Sequence, residues 1–116
     1  MTLIRHCRMI KIVQIARTSR YARRVAKLLP SGEQLAMELH IVQNPESHPV
    51  VAGTGGIRKA RWGRGGQGKS GGVRAIYYFV YLKDVVYMLD IYAKNQKMDL
   101  TPDDKKELRR IIRDLR

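Results

Sequence analysis

The spacing of the apolar residues changes from a helical to a strand-like period between residues 43 and 57, and this change limits the folds that are possible. Between residues 19 and 43, apolar side chains recur at the spacing of amphipathic helices. From residue 57 to residue 92 they alternate with a period near two, which is typical of half-buried strands. Separate blocks of the two patterns predict an α+β domain with a small antiparallel or mixed sheet of about four strands.

Two helices are predicted before residue 57, and Pro30-Ser31 separates them. Ser19 and Ser31 are the expected N-caps, and Asn44-Pro45 is expected to end the second helix. The core-facing residues are expected to be Tyr21, Val25, Leu28 and Leu29 in the first helix, and Leu35, Leu39 and Val42 in the second. The short link between them predicts an antiparallel helix hairpin.

Four strands and a last helix complete the expected order of elements. The strands are predicted at residues 10–16, 57–62, 73–82 and 85–92. The Lys83-Asp84 turn joins the last two, so the last three should form an antiparallel meander. Thr101-Pro102, with Asp104 after it, predicts the start of a C-terminal helix. Its expected buried stripe is Leu108, Ile111, Ile112 and Leu115.

The 116 residues are predicted to form a single domain, 1–116. The cysteine content indicates a reducing compartment. Cys7 is the only cysteine and cannot form an intramolecular disulfide, so we expect a cytoplasmic protein. No apolar run approaches the roughly 20 residues that span a bilayer, so no membrane association is expected. The three histidines are expected to be scattered surface residues, and neither a metal nor another cofactor is predicted: His6, His40 and His48.

The charge of the chain indicates a nucleic acid partner. The net charge is +13, which creates a field that attracts polyanions. Residues 1–30 carry eight cationic and no acidic side chains, and residues 53–74 carry six cationic and no acidic ones. Residues 31–52 between them carry three acidic side chains and no lysine or arginine. Two basic blocks therefore flank a mildly acidic segment.

One segment has the letters of a nucleotide-binding P-loop: Gly63-Arg64-Gly65-Gly66-Gln67-Gly68-Lys69-Ser70. A working P-loop follows a buried strand and opens a helix, so that backbone amides meet the phosphates. Here the preceding strand is highly charged and a β-rich segment follows, so the glycines predict a hairpin loop. We do not expect nucleotide hydrolysis.

Cations should cluster on the hairpin that this loop closes. Alternation places Lys59 and Arg61 on one face of their strand, and Arg74 lies near the start of the next. Lys69 and Lys94 could join them. Such a cluster suits RNA cleavage by the strand's own 2′-hydroxyl, which needs a base, cations for the transition state and an acid for the leaving oxygen. No histidine or carboxylate is expected in it.

Four blocks of sequence resemble the HigB branch of the RelE/ParE toxin superfamily. They are Gly53-Thr54-Gly55-Gly56-Ile57-Arg58-Lys59-Ala60-Arg61-Trp62, Gly68-Lys69-Ser70-Gly71-Gly72-Val73-Arg74-Ala75-Ile76-Tyr77-Tyr78-Phe79, Asp90-Ile91-Tyr92-Ala93-Lys94-Asn95 and Asp99-Leu100-Thr101. The blocks cover about half of the chain, and the expected fold extends the resemblance to residues 10–116. Residues 1–9 precede the pattern and are expected to be disordered or to result from a translation start assigned too far upstream.

The resemblance implies a toxin of a type II toxin–antitoxin system, with its helices on one side of the sheet and an exposed concave face. That face would enter the ribosomal A site and cut mRNA without a metal. Arg74 would stabilise the cleaved phosphate, Lys59 or Lys94 would move the proton of the 2′-hydroxyl, and Arg61 would hold the backbone. The implied catalytic residues are Lys59, Arg61, Arg74 and Lys94, and the implied RNA-binding residues are Arg58, Lys69 and Tyr92.

The implied partners are mRNA, the ribosome and an antitoxin, a helix-turn-helix DNA-binding protein encoded next to the toxin through which the complex contacts operator DNA. One departure concerns base recognition, because RelE-type toxins often carry a C-terminal aromatic residue and none follows Tyr92. Either Tyr92 substitutes or base preference is loose. The alternatives are a ParE-like inhibitor of DNA gyrase, which would not need the cationic cluster, and a non-catalytic RNA- or ribosome-binding protein.

Overall fold

A computed structural model describes residues 12–63, 72–97 and 99–115. The strands are β1 (Gln14–Arg17), β2 (Arg58–Trp62), β3 (Val73–Val80) and β4 (Val85–Ala93). The helices are α1 (Ser19–Leu28), α2 (Ser31–Gln43) and α3 (Pro102–Leu115). Residues 1–9, Lys69 and most of the P-loop-like segment lie outside the described ranges.

The four strands form one mixed sheet in the order β1-β4-β3-β2. Strand β1 is parallel to β4, whereas β2 with β3 and β3 with β4 are antiparallel. The predicted α+β class and meander are confirmed. Strand β3 is shorter than predicted, because residues 81–83 form a 3-10 turn that Asp84 closes in the left-handed region with a φ of 51°.

The sheet is covered by helices on both faces, which corrects the expectation that they lie on one side. Alternating residues of β3 divide between two apolar clusters: Ala75 and Tyr77 pack with residues of α1 and α2, and Ile76 and Tyr78 pack with residues of α3. Leu108 and Ile112 are the buried residues of α3, and Ile111 and Leu115 pack beside them, as predicted. Helix α3 therefore shares its face of the sheet with the even-numbered residues of β3.

The predicted N-caps of α1 and α2 are each wrong by one residue. Thr18 caps α1, since its Oγ1 accepts a hydrogen bond from the Tyr21 amide at 3.1 Å and donates one to the Leu89 carbonyl at 2.9 Å. Thr18 thereby ties α1 to β4, which local sequence signals do not show. Pro30 occupies the N-cap position of α2 and makes no side-chain cap hydrogen bond.

The predicted buried stripe of α2 is wrong at Leu35 and Leu39, whereas Val42 packs against the core as predicted. Leu35 and Leu39 are exposed, and the buried residues of this helix are Met37, Glu38 and Ile41. Glu38 is only 1% exposed, although carboxylates are seldom buried without partners. The core-facing side of α2 carries Met37 and Ile41 together with the buried Glu38, whose carboxylate is paired with the half-exposed Arg17.

Glu38 has three partners inside the protein. Arg17 donates to both carboxylate oxygens, at 2.9 and 2.6 Å, the Tyr21 hydroxyl donates at 2.7 Å and the Gln34 amide at 3.1 Å. Burial alone would raise the pKa of Glu38, but these hydrogen bonds outweigh it and hold the pKa below its ordinary value of 4.5. The network joins β1, α1 and α2 through one carboxylate.

We expect Glu38→Gln to lower the free energy of unfolding at neutral pH by about 2 kcal/mol, because hydrogen bonds to a buried charge are lost. Since the folded pKa of Glu38 lies below its ordinary value, its stabilisation is complete above pH 4.5 and is lost as the pH falls through the folded pKa. The variant should therefore lose less stability on acidification than the parent. Urea titrations across this pH range, with the exposed Glu46→Gln as control, measure the difference; equal acid sensitivity of parent and Glu38→Gln would contradict it.

Helix α3 begins with the predicted capping box. Thr101 Oγ1 accepts from the Asp104 amide at 3.1 Å, and Asp104 Oδ2 accepts from the Thr101 amide at 2.9 Å. Arg109 donates to the Gly53 carbonyl at 2.6 Å, which ties α3 to the turn before β2. No helix in the described ranges is both long and apolar enough to cross a bilayer.

Candidate functional site

Three residues of neighbouring strands form a row on the face of the sheet that α3 partly covers. Arg61 of β2 lies opposite Arg74 of β3, and Arg74 lies opposite Tyr92 of β4. Lys59 lies opposite Ile76, one pair further along, so its side chain is on the same face. We call Lys59, Arg61, Arg74 and Tyr92 the cationic row. The strand register thus brings together the cations that sequence alternation grouped.

Arg61 and Arg74 are like charges in directly opposed positions, an arrangement that destabilises a sheet. Arg61 is exposed, but Arg74 is only 4% exposed. The Arg74 guanidinium donates to the Val73 carbonyl at 3.2 Å. Burying an arginine beside another arginine costs free energy, and an anion placed between the two would recover it.

Asp99 adds a carboxylate that was not expected at this site. Its Oδ1 lies 3.5 Å from Lys59 Nζ and accepts a hydrogen bond from the Leu100 amide at 2.8 Å. That backbone hydrogen bond, with the neighbouring Lys59, holds the pKa of Asp99 below its ordinary value. Asp99 therefore stays ionised at neutral pH and is a weak proton acceptor. Lys59 is thus already paired with a carboxylate.

Tyr92 is at the inner end of the row and is only 5% exposed. Its ring packs in the apolar cluster under α3, and Lys97 Nζ lies 5.4 Å from the ring centroid. Within the described residues its hydroxyl is buried without a hydrogen-bond partner. Burial, together with the charge of Asp99, raises the pKa of Tyr92 to about 12, so the phenol remains a donor at neutral pH. Tyr92 therefore has no exposed ring face on which a base could stack.

Lys94 and Gly72 lie where β3 and β4 meet the glycine-rich loop. The Lys94 amide donates to the Gly72 carbonyl at 3.1 Å, one position beyond the pair of Val73 with Ala93. A Cβ on Gly72 would lie 2.0 Å from the Trp62 carbonyl oxygen, so only glycine lets the strands approach there. Lys94 thus follows the end of β4 next to the row, and Lys69 lies outside the described residues.

Arg58 is separated from the row. It alternates with Lys59 and lies opposite Tyr77, whose side chain packs on the α1 and α2 face. Its guanidinium donates to the carbonyls of Glu46 at 3.0 Å and His48 at 2.6 Å. Arg58 therefore fixes the segment after α2, and the structure does not bring it together with Tyr92, the other predicted RNA-binding residue within the described ranges.

A cleft of about 840 Å³ runs along the outer edge of β2. Lys59, Arg61 and Asp99 line one side of it, and His40 and His48 line another. His40 and His48 are thus brought together rather than scattered, whereas His6 lies outside the described residues. The prediction that no histidine or carboxylate lies near the cations is wrong. The described residues include no cluster of three metal-ligating side chains.

The P-loop pattern does not have a P-loop context. Strands β2 and β3, which flank the segment, are antiparallel neighbours, and the chain enters a strand after it. A nucleotide site would need a helix there. That the loop does not serve as a nucleotide site stays a prediction, because most of the loop lies outside the described residues.

A family model for the RelE toxin of the RelE/RelB toxin–antitoxin system matches residues 13–116. The chain belongs to the RelE toxin family. The match spans every strand and helix described above, so the sheet that carries the cationic row lies within the region that matches the family. The finer assignment to the HigB branch stays a prediction.

Solved E. coli structures share the fold of this RelE-family toxin. A RelE mutant in the free state has a TM-score of 0.55 and 18% identity over 76% of this chain and 90% of that chain. The isolated RelE toxin has a TM-score of 0.55 and 20% identity, and the match covers 86% of this chain and 99% of that chain. A chain of the intact RelBE toxin–antitoxin complex has a TM-score of 0.53 and 22% identity, and the match covers 69% of this chain and 94% of that chain. These similarities confirm the RelE-like α+β fold.

Proposed function

We propose that this RelE-family toxin is an endoribonuclease that cuts mRNA in the ribosomal A site and thereby inhibits translation. The observation that carries the proposal is the opposition of Arg61 and Arg74, with Arg74 almost fully buried. Two arginines in opposed positions form a site for one anion of phosphate shape. In a RelE-family toxin with a net charge of +13, the phosphate of an RNA strand is the best candidate for that anion.

The reaction would be a displacement within the RNA strand. The 2′-hydroxyl oxygen attacks the adjacent phosphorus, the bond from phosphorus to the 5′-oxygen breaks, and a 2′,3′-cyclic phosphate and a 5′-hydroxyl end form. One proton leaves the 2′-hydroxyl and one is supplied to the 5′-oxygen, so no metal or cofactor is consumed. The chemistry needs stabilisation of the extra negative charge on phosphorus oxygens.

The residues of the row have distinct proposed roles. Arg74 stabilises the charge that develops on the phosphate, and Arg61 holds the RNA backbone beside it. Lys59 or Lys94 moves the proton of the 2′-hydroxyl, and Lys59 must first exchange its contact with Asp99 for the RNA. Tyr92 would donate its buried hydroxyl to the ribose or phosphate, and Lys69 would add a backbone contact from the loop.

We further propose that an antitoxin holds the toxin in check. The E. coli RelBE structure is a complex of such a toxin with its antitoxin, and it shares the fold of this chain. For this chain we expect a helix-turn-helix protein encoded by the neighbouring gene, which also brings the complex to operator DNA. The antitoxin would inhibit by covering the cationic row or by adding bulk that excludes the complex from the A site of cytoplasmic ribosomes.

Induced expression tests this function in the cell. We expect growth arrest, loss of protein synthesis before DNA synthesis, and new mRNA 5′ ends inside coding regions, with all three reversed by the neighbouring antitoxin gene. Mapping of the 5′ ends by primer extension gives the result. Arrest with DNA breaks and intact mRNA would instead indicate a gyrase inhibitor, and slowed translation with intact mRNA would indicate a non-catalytic ribosome-binding protein.

A further inference from the structure

A series of aromatic rings lies at the open edge of β2, on the side of this strand opposite the cationic row. The His40 and His48 ring centroids are 5.3 Å apart, and those of His40 and Trp62 are 5.9 Å apart. His48 in turn meets Tyr77 edge to face at 6.0 Å. We call His40, His48 and Trp62 the edge rings. They come from α2, the loop after it and β2, so the fold assembles them from separate segments.

Two polar atoms of the edge rings have no partner. His48 Nε2 and Trp62 Nε1 are buried and make no hydrogen bond within the described residues. Most buried polar atoms in proteins are paired, because an unpaired one costs free energy. Burial, with His40 and Arg58 nearby, lowers the pKa of His48, so its ring is neutral at physiological pH. The cluster thus has two buried polar atoms for which the described residues provide no partner.

The edge rings and the cationic row border the same space. The cleft of about 840 Å³ is lined by all three edge rings, and Lys59 and Arg61 line it as well. His40 is exposed at its mouth. Aromatic rings beside cations match the two parts of a nucleotide, since bases stack on rings and phosphates pair with cations.

We propose that the edge rings form a subsite for one unpaired base of single-stranded RNA, whose phosphate lies on Lys59 and Arg61. This inference rests on the proposed function, because it takes RNA as the ligand. It adds a site that would hold a base next to the cleaved bond. His40 and Trp62 supply the stacking surface. The base edge would meet His48 Nε2 and Trp62 Nε1, for which the described residues provide no partner, once the rings turn to expose these buried nitrogens. The subsite supplies the base contact for which no C-terminal aromatic residue is present after Tyr92.

Trp62 is the only tryptophan of the chain, so its fluorescence reports on this subsite directly. The probe is a short 2′-O-methyl oligoribonucleotide, which binds but cannot be cleaved, with a dye at one end. The matched probe has the same backbone and charge with all bases removed. Dye anisotropy measures how much oligonucleotide is bound, and Trp62 emission measures stacking.

We expect the oligonucleotide with bases to quench Trp62 in a saturable manner, and the abasic one to bind more weakly without quenching. His40→Ala should weaken binding of the oligonucleotide with bases about tenfold, which is typical of the loss of one stacking partner. It should leave binding of the abasic probe unchanged. Because His40 is exposed on α2, this variant should fold, and Gln43→Ala on the same helix is the control, expected to match the parent.

Equal quenching by the two probes at equal occupancy, or no quenching by either, would overturn the subsite, as would undetectable binding of both. The assay does not involve cleavage, so the two proposals can fail separately. Quenching without cleavage of ribosome-bound mRNA would contradict the proposed function and leave the base subsite standing. Cleavage that is unchanged in His40→Ala, with no Trp62 quenching, would leave the function standing and remove the subsite.

Discussion

Replacing Arg74 by methionine is expected to reduce the rate of mRNA cleavage on ribosomes by about 10²- to 10³-fold, the usual loss when one contact to a developing negative charge is removed. Arg74 is the buried member of the opposed arginine pair, and its position is fixed by strand pairing on both sides. Low exposure strengthens its interaction with a phosphate, because water screens the charge less there. Exposed Arg61 should contribute less.

Methionine is chosen because it fills much of the space that the aliphatic part of Arg74 occupies. An alanine at this buried position would leave a cavity and confuse loss of activity with loss of fold. The control is Arg23→Met, an exposed arginine of α1 on the far side of the sheet, which lowers the net charge by the same amount. Circular dichroism and thermal melting show that both variants are folded.

A folded Arg74→Met protein that cleaves at the parent rate would show that Arg74 is not the charge-stabilising residue. If Arg23→Met loses as much activity as Arg74→Met, total charge matters and the arginine pair does not. Arg74→Lys separates charge from shape: a lysine keeps the charge but not the forked guanidinium, so it should recover only part of the rate.

Most of the fold could be predicted because the sequence signals were local. Period-two alternation identified β2, β3 and β4, and the capping box at Thr101 identified the start of α3. The same alternation grouped Lys59, Arg61 and Arg74, since cross-strand neighbours share a face. Strand periodicity was therefore sufficient to predict both the antiparallel strands of the sheet and the grouping of the cations on one face.

What could not be predicted depends on contacts between distant parts of the chain. The Lys59 contact with Asp99 joins residues 40 positions apart, and Asp99 lies outside any regular element. The burial of Glu38 on the core side of α2 is accompanied by pairing with Arg17, which is 21 positions away. The edge rings gather residues of three segments, so no spacing rule links them. A buried charge and a cleft at a sheet edge have no periodic signature.

Cleavage should depend on the ribosome by at least about 10²-fold, because the cationic row consists of lysine, arginine and tyrosine side chains, which are inefficient bases at neutral pH. Asp99 is ionised and has a lowered pKa, and His48 Nε2 is buried, so neither readily removes the proton of a ribose hydroxyl. Catalysis must then rest on placing the 2′-oxygen in line with the phosphorus. The cationic row and the cleft contact only a short stretch of RNA and leave a flexible strand free to adopt other shapes.

The ribosome would supply that order by presenting the A-site codon in a fixed conformation. The net charge of +13 would bring the toxin to ribosomal RNA with a strong dependence on salt. On this proposal the toxin would contribute charge stabilisation and proton transfer, and the ribosome would supply the geometry of the substrate.

The most direct test of the proposed function compares one mRNA alone and on programmed ribosomes with a filled P site and an open A site, at equal toxin concentration and constant salt. Primer extension gives the cleavage rates, and Arg74→Met serves as the inactive control on ribosomes. We predict cleavage within the A-site codon of ribosome-bound mRNA and at least about 10²-fold slower cleavage of the free mRNA. Equal rates on the two substrates would contradict ribosome dependence, and intact mRNA on both would contradict the assignment as an endoribonuclease.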